Sequence, residues 1–258
     1  MKIIAAIKQV PERDAPVRID AAAKWIEESN LQFALNEPDA YALEEALLLK
    51  ERSAEGGEVV VVSAGPERAG SAIREALAKG ADRGIHIVCD DLGNRDALGV
   101  ARLLAAAMKP ENPDLVLTGL QSEDLGLGQT GVILAELLGM PHATLILQVE
   151  KTDGGVKVKR ELEESWFQEI ELPLPAALTI QSGGNRLRYA TLMGIKRAKN
   201  KEVRSVAAAE LNVDSAPSAL LERIALPTKQ KSTQMLGGSP KEIAAALVEK
   251  LKFEARVL

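Results

Sequence analysis

Aromatic side chains are scarce, only 3% of the chain, so the core has to be built from Val, Ile, Leu and Ala. One cysteine, Cys89, leaves no internal disulfide possible and fits a reducing compartment. With His86 and His142 as the two histidines, a His-rich metal centre is hard to build, and each sits beside an apolar run that gives it a structural role. No stretch of 18 apolar residues occurs, and the start of the chain carries neither an apolar signal region nor an Arg/Ser-rich transit peptide. A soluble, cytoplasmic protein without membrane insertion is therefore expected. The net charge of −5 argues against bulk nucleic-acid binding, which needs a basic field. No Ser/His/Asp or Cys/His nucleophile arrangement stands out, so no catalytic acid or base is assigned.

What is present is a regular alternation. KIIAAIK at 2–8 is a short β-branched run, followed by Pro11 and then by a helical stretch over 38–54 with Ala40, Leu43, Leu47 and Leu48 on one face. EVVVVSA at 58–64 is apolar on both faces, as a strand covered by helices on both sides requires. A helix to about Lys79, a strand at 84–88, a helix at 95–108, a strand at 114–119 and a helix at 129–139 continue the pattern. Four strand–helix alternations predict a parallel, helix-covered α/β sheet. Beyond Gly139 the rhythm changes. A strand at 143–150, the turn signal TDGG at 152–155 and VKVKREL suggest a hairpin, and a buried ALTIQ strand ends at Ser182-Gly183-Gly184. From 198 onward no compact pattern is evident until a helix near 239–252, with Ser239 as N-cap, Pro240 first and Glu242 third. The expected organisation is a nucleotide-binding domain over 1–197 and, over 198–258, an arm that needs a partner surface.

In parallel α/β sheets, ligands sit at the carboxyl ends of the strands. These ends are Ala6–Lys8, Ser63–Pro66 and the long loop from Gly119 to Thr130. GLQSEDLGLGQTG is longer than an ordinary strand-to-helix turn, and it ends at a helix start, where free backbone N–H groups and the helix dipole suit a phosphate. Gly126, Gly128 and Gly131 let backbone approach a ligand closely. GLGQTG also matches G-x-G-x-x-G, with Glu150 roughly 20 residues on, but it follows the fourth strand after an excursion instead of the first strand directly. A third reading is that these glycines only shape a loop.

Several segments together resemble the electron-transfer flavoprotein beta subunits: IKQVP at 7–11, LNEPDAYALEEAL at 35–47, VVVSAGP at 60–66, ALAKGADRGI at 76–85, DLVLTGLQSEDLGLGQTG at 114–131, VKVKREL at 156–162, PAALTIQ at 175–181 and RYATLMGIKRAK at 188–199. The resemblance implies an adenine-nucleotide alpha-hydrolase-like fold and a heterodimer whose alpha subunit holds most of the FAD. It implies an electron carrier, not an enzyme, that accepts electrons from donor dehydrogenases. It also implies a structural AMP in the beta chain, held here by Ala6, Asn36, Glu37, Pro38, Asp39, Ala64, Gly119, Leu120, Gln121, Ser122, Glu123, Asp124, Leu125, Gly126, Leu127, Gly128, Gln129 and Thr130. A docking loop would comprise Arg188, Tyr189, Ala190, Thr191, Leu192, Met193, Gly194, Ile195, Lys196 and Arg197, with Leu192 as its anchor. Arg160 and Glu161 would meet the alpha subunit's flavin domain. Some relatives hold a second FAD in the beta site and split electron pairs, and a stand-alone adenine-nucleotide module is the remaining alternative. Trp166-Phe167 is an unusual pair for the family. For Leu192, the competing reading is a helix start that packs inward.

Residues 186–204 carry Arg186, Arg188, Lys196, Arg197, Lys199, Lys201 and Arg204 against only Glu202. With Tyr189 as the one aromatic among them, this strip suits acidic redox partners better than nucleic acid.

Overall fold

A computed structural model describes residues 1–227 and 233–257. The first strands are β1 (Lys2–Ala6), β2 (Gln9–Pro11) and β3 (Phe33–Leu35), followed by helix α1 (Glu37–Arg52). Next come β4 (Glu58–Gly65), α2 (Gly70–Lys79), β5 (Arg83–Val88), α3 (Ala97–Met108), β6 (Leu115–Gly119) and α4 (Thr130–Leu138). The rest comprises β7 (His142–Lys151), β8 (Gly155–Glu161), β9 (Phe167–Pro173), β10 (Ala176–Ile180), α5 (Leu192–Ala198), β11 (Val203–Ala207) and α6 (Pro240–Phe253). Nine strands form one sheet in the order β11-β5-β4-β1-β6-β10-β7-β8-β9. The neighbours from β11 to β7 run parallel, and the β7-β8-β9 meander is antiparallel. The helix-covered parallel sheet read from the sequence is the observed fold.

Strict alternation in the central strands sorts side chains between two cores. Ile3 and Ala5 of β1, with Val59 and Val61 of β4, face α1 and α2; Ile4, Ala6, Val60 and Val62 face α3 and α4. Val59 through Val62 are fully buried because helices cover both faces. Each fully buried aliphatic side chain contributes about 1.5–3 kcal/mol, which compensates for the shortage of aromatics.

The arm does not start at 198. Residues 203–207 form β11, which pairs in parallel with β5 from Val203↔Gly84 to Ala207↔Val88. Val206 packs on the α3/α4 core and Val203 on the α1/α2 core. An edge strand covered by helix on only part of each face tolerates Arg204 and Ser205, and that polarity hid it from a hydrophobicity reading. Met1–Ile224 form one compact unit and Ala225–Leu258 a second. Within the second, α6 buries no residue, and Leu247, Val248 and Phe253 are exposed. Its start is as expected, since the Ser239 N–H donates to the Glu242 carboxylate at 2.7 Å. Residues 228–232 and 258 of the expected arm lie outside the described residues.

Gly84 on β5 leaves no room for a side chain, because an added Cβ would lie 2.5 Å from Ile73 Cγ2 on α2. Gly84→Ala is expected to destabilise the sheet unit by about 1–3 kcal/mol through overpacking, read as a lower denaturant midpoint. An unchanged midpoint would show that α2 is not held this closely to the sheet.

Candidate nucleotide site at the strand ends

Two buried side chains tie the carboxyl end of the sheet together. Asp39, in the first turn of α1, accepts from the Lys8 N–H at 2.8 Å and from the Gly119 N–H at 2.9 Å. Asn36, fully buried just before α1, donates to the Gln121 carbonyl at 3.1 Å and accepts from the Glu123 N–H at 3.0 Å. The Asn36 N–H itself donates to the Lys8 carbonyl at 2.9 Å. The end of β1, the start of α1, the end of β6 and the long loop are thereby joined through directional bonds. Ala6, the last residue of β1, and Ala64, next to last in β4, are both small and buried alongside.

The loop over 120–129 then rises to α4. Its fold is set by the Gly126 N–H donating to the Ser122 carbonyl at 2.8 Å and by left-handed backbone at Gly126 (φ 62°) and Gly128 (φ 63°). A Cβ at either would meet only an ordinary contact, the Ser122 carbonyl at 4.0 Å or the Leu120 carbonyl at 3.8 Å. Leu125 and Leu127 point outward and are about half exposed. Among the described residues no side chain caps α4, whose first N–H to bond back is that of Ile133, to the Gln129 carbonyl at 3.0 Å. The N–H groups of Thr130, Gly131 and Val132 precede that bond, and they give the turn its partial positive charge. The charged side chains nearby are largely paired with one another. Lys8 Nζ donates to Asp124 at 2.6 Å, and Arg13 bridges Glu37 at 2.8 Å and Glu123 at 2.6 Å. A phosphate here would depend on backbone N–H groups more than on side-chain cations, and the uncapped helix start fits that demand.

Gly131 differs from the other two loop glycines. A Cβ there would lie 2.7 Å from Thr179 Cγ2 and would also collide with the Thr118 hydroxyl, so this glycine lets α4 close on β6 and β10. Its expected role in ligand approach is corrected to helix–sheet packing. Pro38 takes an early position in α1, where a missing N–H costs nothing.

Away from this corner, Thr191 caps α5 by accepting from the Gly194 N–H at 3.0 Å. Leu192 is 87% exposed and Tyr189 is 90% exposed, with Met193 and Ile195 exposed beside them. The inward-packing reading of Leu192 is therefore set aside. The basic strip is narrower than its sequence, for Arg188 is bound to Glu44 and Glu51, Arg204 to Glu111, and Lys201 to the carbonyls of Leu77 and Ala81. Arg186, Lys196, Arg197 and Lys199 remain at the surface. On β8, Arg160 donates to Thr144 Oγ1 at 3.3 Å and Glu161 accepts from Gln181 at 3.2 Å; these are separate bonds, not an Arg160–Glu161 pair. Leu162, Trp166 and Phe167 are exposed beside them.

A family model described as the electron transfer flavoprotein domain matches residues 24–211. The electron transfer flavoprotein subunit beta of Methylophilus methylotrophus is 39% identical over 257 residues, covering 96% of this chain and 97% of that protein. The subunit of the same name from Bradyrhizobium diazoefficiens is 38% identical over the whole of both chains, and that of Bacillus subtilis is 33% identical over the whole of both. The chain belongs to the electron transfer flavoprotein subunit beta family.

The sequence marks the segments of the corner, Lys8 among them as part of the first strand end, but not Arg13, Thr118 or Thr179 as parts of it. Arg13, in an irregular loop, carries no local signal. The same reading left out Glu44, whose spacing beside Glu45 suggests only a solvated helix face although both are buried. Among the described residues no helix is long and apolar enough to cross a membrane.

Burial pushes the Asp39 carboxyl up to about 6, against the opposing bonds from Lys8, Asn36 and Gly119. With its folded value above the unfolded 3.8, its contribution to stability is fully present below that pH and is lost as pH rises through about 6. Relative to Asp39→Asn, the native chain should lose up to about 3 kcal/mol between about pH 4 and pH 7, measured by denaturant unfolding. A difference independent of pH would contradict this placement of Asp39.

Proposed function

We propose that this chain is the beta subunit of a heterodimeric electron transfer flavoprotein, an electron carrier and not an enzyme. Its alpha partner would hold most of the FAD, whose isoalloxazine supplies the redox chemistry. This chain would bind AMP structurally at Ala6, the segment Asn36–Asp39, Ala64 and the loop from Gly119 to Thr130. The observation that carries this reading is the convergence of the uncapped α4 start, the glycine loop and the Asn36–Asp39 turn at one end of a parallel sheet, in a chain of this family. Arg160 and Glu161 would face the flavin domain, and the segment Arg188–Arg197 would dock donor dehydrogenases. The exposed apolar side chains of that segment, ringed by Arg186, Lys196, Arg197 and Lys199, support the docking role.

Co-expression with an alpha subunit, followed by denaturation and identification of released nucleotides, tests the cofactor part. FAD and AMP in equal amounts are expected. Two FAD per heterodimer would instead indicate an electron-bifurcating relative, and a colourless, monomeric, nucleotide-bound chain would indicate a stand-alone module. Truncation after residue 232 should weaken pairing with the alpha subunit and leave the melting of the sheet unit intact, because α6 buries none of its own residues. Pairing at full strength without these residues would remove the arm from the interface.

Leu192→Ala tests docking. Removing so exposed a side chain should change stability by less than about 0.5 kcal/mol and leave flavin and nucleotide content intact. Reduction by a donor dehydrogenase should lose about 2 kcal/mol of association free energy, a rate or affinity effect of roughly thirtyfold. A normal reduction rate in the variant would end the docking assignment.

A further inference from the structure

The segment that carries Leu192 is gripped at both ends by residues outside it. At its start, Arg188 makes a fork onto α1. Its Nε lies 2.9 Å and its Nη2 2.8 Å from Glu44 oxygens, and its Nη1 lies 2.6 Å from Glu51. The backbone N–H of Arg188 also donates to Glu44, at 3.1 Å. Just upstream, Asn185 donates to Glu45 at 3.0 Å. The Glu44 side chain is only 5% exposed, against 54% for Glu51, so Glu44 is a nearly buried carboxylate whose hydrogen bonds, among the described residues, all go to this one arginine.

The far end is held by an exchange between two helices. Arg74 of α2 donates to the carbonyls of Ala198 at 2.8 Å and Lys201 at 3.0 Å, at the end of α5. Lys201 in turn donates to the carbonyls of Leu77 and Ala81, at the end of α2. Each cation caps the other helix, where the dipole favours positive charge. Between the clamps, Gly194 lies against the Ala78 carbonyl so closely that a Cβ would collide with it. Ala198 is buried on the same side, while Tyr189, Leu192, Met193 and Ile195 all face outward.

A helix of seven residues is too short to persist by its own hydrogen bonds. If it were free, every association through Leu192 would have to order the segment first, and that entropy would be subtracted from binding. Arginine's planar fork onto two carboxylates fixes direction as well as distance, which lysine could not do. Burying Glu44 gives α1 itself little, since an apolar residue of similar volume would pack at least as favourably there. Its bonds are all spent on where the segment begins.

We propose that Glu44, assisted by Glu51 and by the Arg74–Lys201 exchange, is a positioning residue that holds the Leu192 segment ready for a protein partner. This rests on the docking role assigned to that segment. Glu44 touches neither cofactor nor partner; it acts through Arg188. Helix α1 thus begins in the nucleotide corner with Asp39 and, one to three turns on, sets the geometry of the docking segment.

The test uses the full heterodimer with Glu44→Ala, the isosteric Glu44→Gln, and Glu51→Gln. Hydrogen exchange is measured over residues 189–198 without any dehydrogenase present. Glu44→Ala should speed exchange there by at least about tenfold, Glu44→Gln less, and Glu51→Gln least, with β1, β4 and β6 unchanged. With a dehydrogenase chosen because it reduces the native heterodimer, the same order should appear as a rise in KM at unchanged kcat. Unchanged exchange over 189–198, or a rise shared equally by the central strands, would overturn the proposal. So would a loosened segment with unaltered KM while Leu192→Ala still slows reduction. If Leu192→Ala is itself without effect, the failure belongs to the docking role and not to the clamp, because the exchange measurement reads the clamp independently.

Discussion

A single buried carboxylate holds the functional end of the molecule together. Asp39 accepts backbone N–H groups from the ends of two adjacent strands, β1 and β6, while standing in the first turn of the helix that connects β1 to β4. The Lys8 N–H lies two residues past β1 and the Gly119 N–H belongs to the last residue of β6, and buried donors left unpaired would cost about 1–3 kcal/mol each. Asn36 repeats the device one layer out, for the loop over 121–123. Everything proposed for the nucleotide depends on this knot, because the loop's position above the sheet is fixed from below by α1.

The parallel sheet was readable because both-face burial writes itself into sequence as unbroken aliphatic runs, as in Val59–Val62. The parts that were not readable have the opposite property. β11 is a polar edge strand, and β2 and β3 form a ribbon of three-residue strands too short for any period to register. In the site, Asn36, Asp39 and the glycine loop were found as segments, but their bonds to each other span some 80 residues and leave no local trace. Gly131 shows the limit most clearly. Its place in a phosphate-like motif suggested ligand approach, whereas Thr118 and Thr179, far apart in sequence, are what exclude a side chain there.

Charge counted along the chain also misled until partners were known. Of the basic strip over 186–204, Arg188, Lys201 and Arg204 are committed to neighbouring carboxylates or carbonyls, and burial lowers the Lys201 ammonium below its ordinary range. What remains at the surface is a smaller patch: four cations around a few exposed apolar side chains. That composition suits a transient complex, in which steering sets the on-rate and one anchor sets the specificity. The same separation holds on the hairpin, where Arg160 and Glu161 bond elsewhere and Trp166 stands open to solvent.

We propose that the corner above Asp39 is a nucleotide site built from backbone. Titrating the isotope-labelled, nucleotide-stripped chain with AMP and following its amide resonances tests this most directly. Saturable binding of one AMP per chain is expected, with the largest shifts at Gly126–Val132 and at Asn36 and Ala64, and little change along β8 and β9. Saturable binding that moves other amides, or no saturable binding to a folded chain, would contradict it.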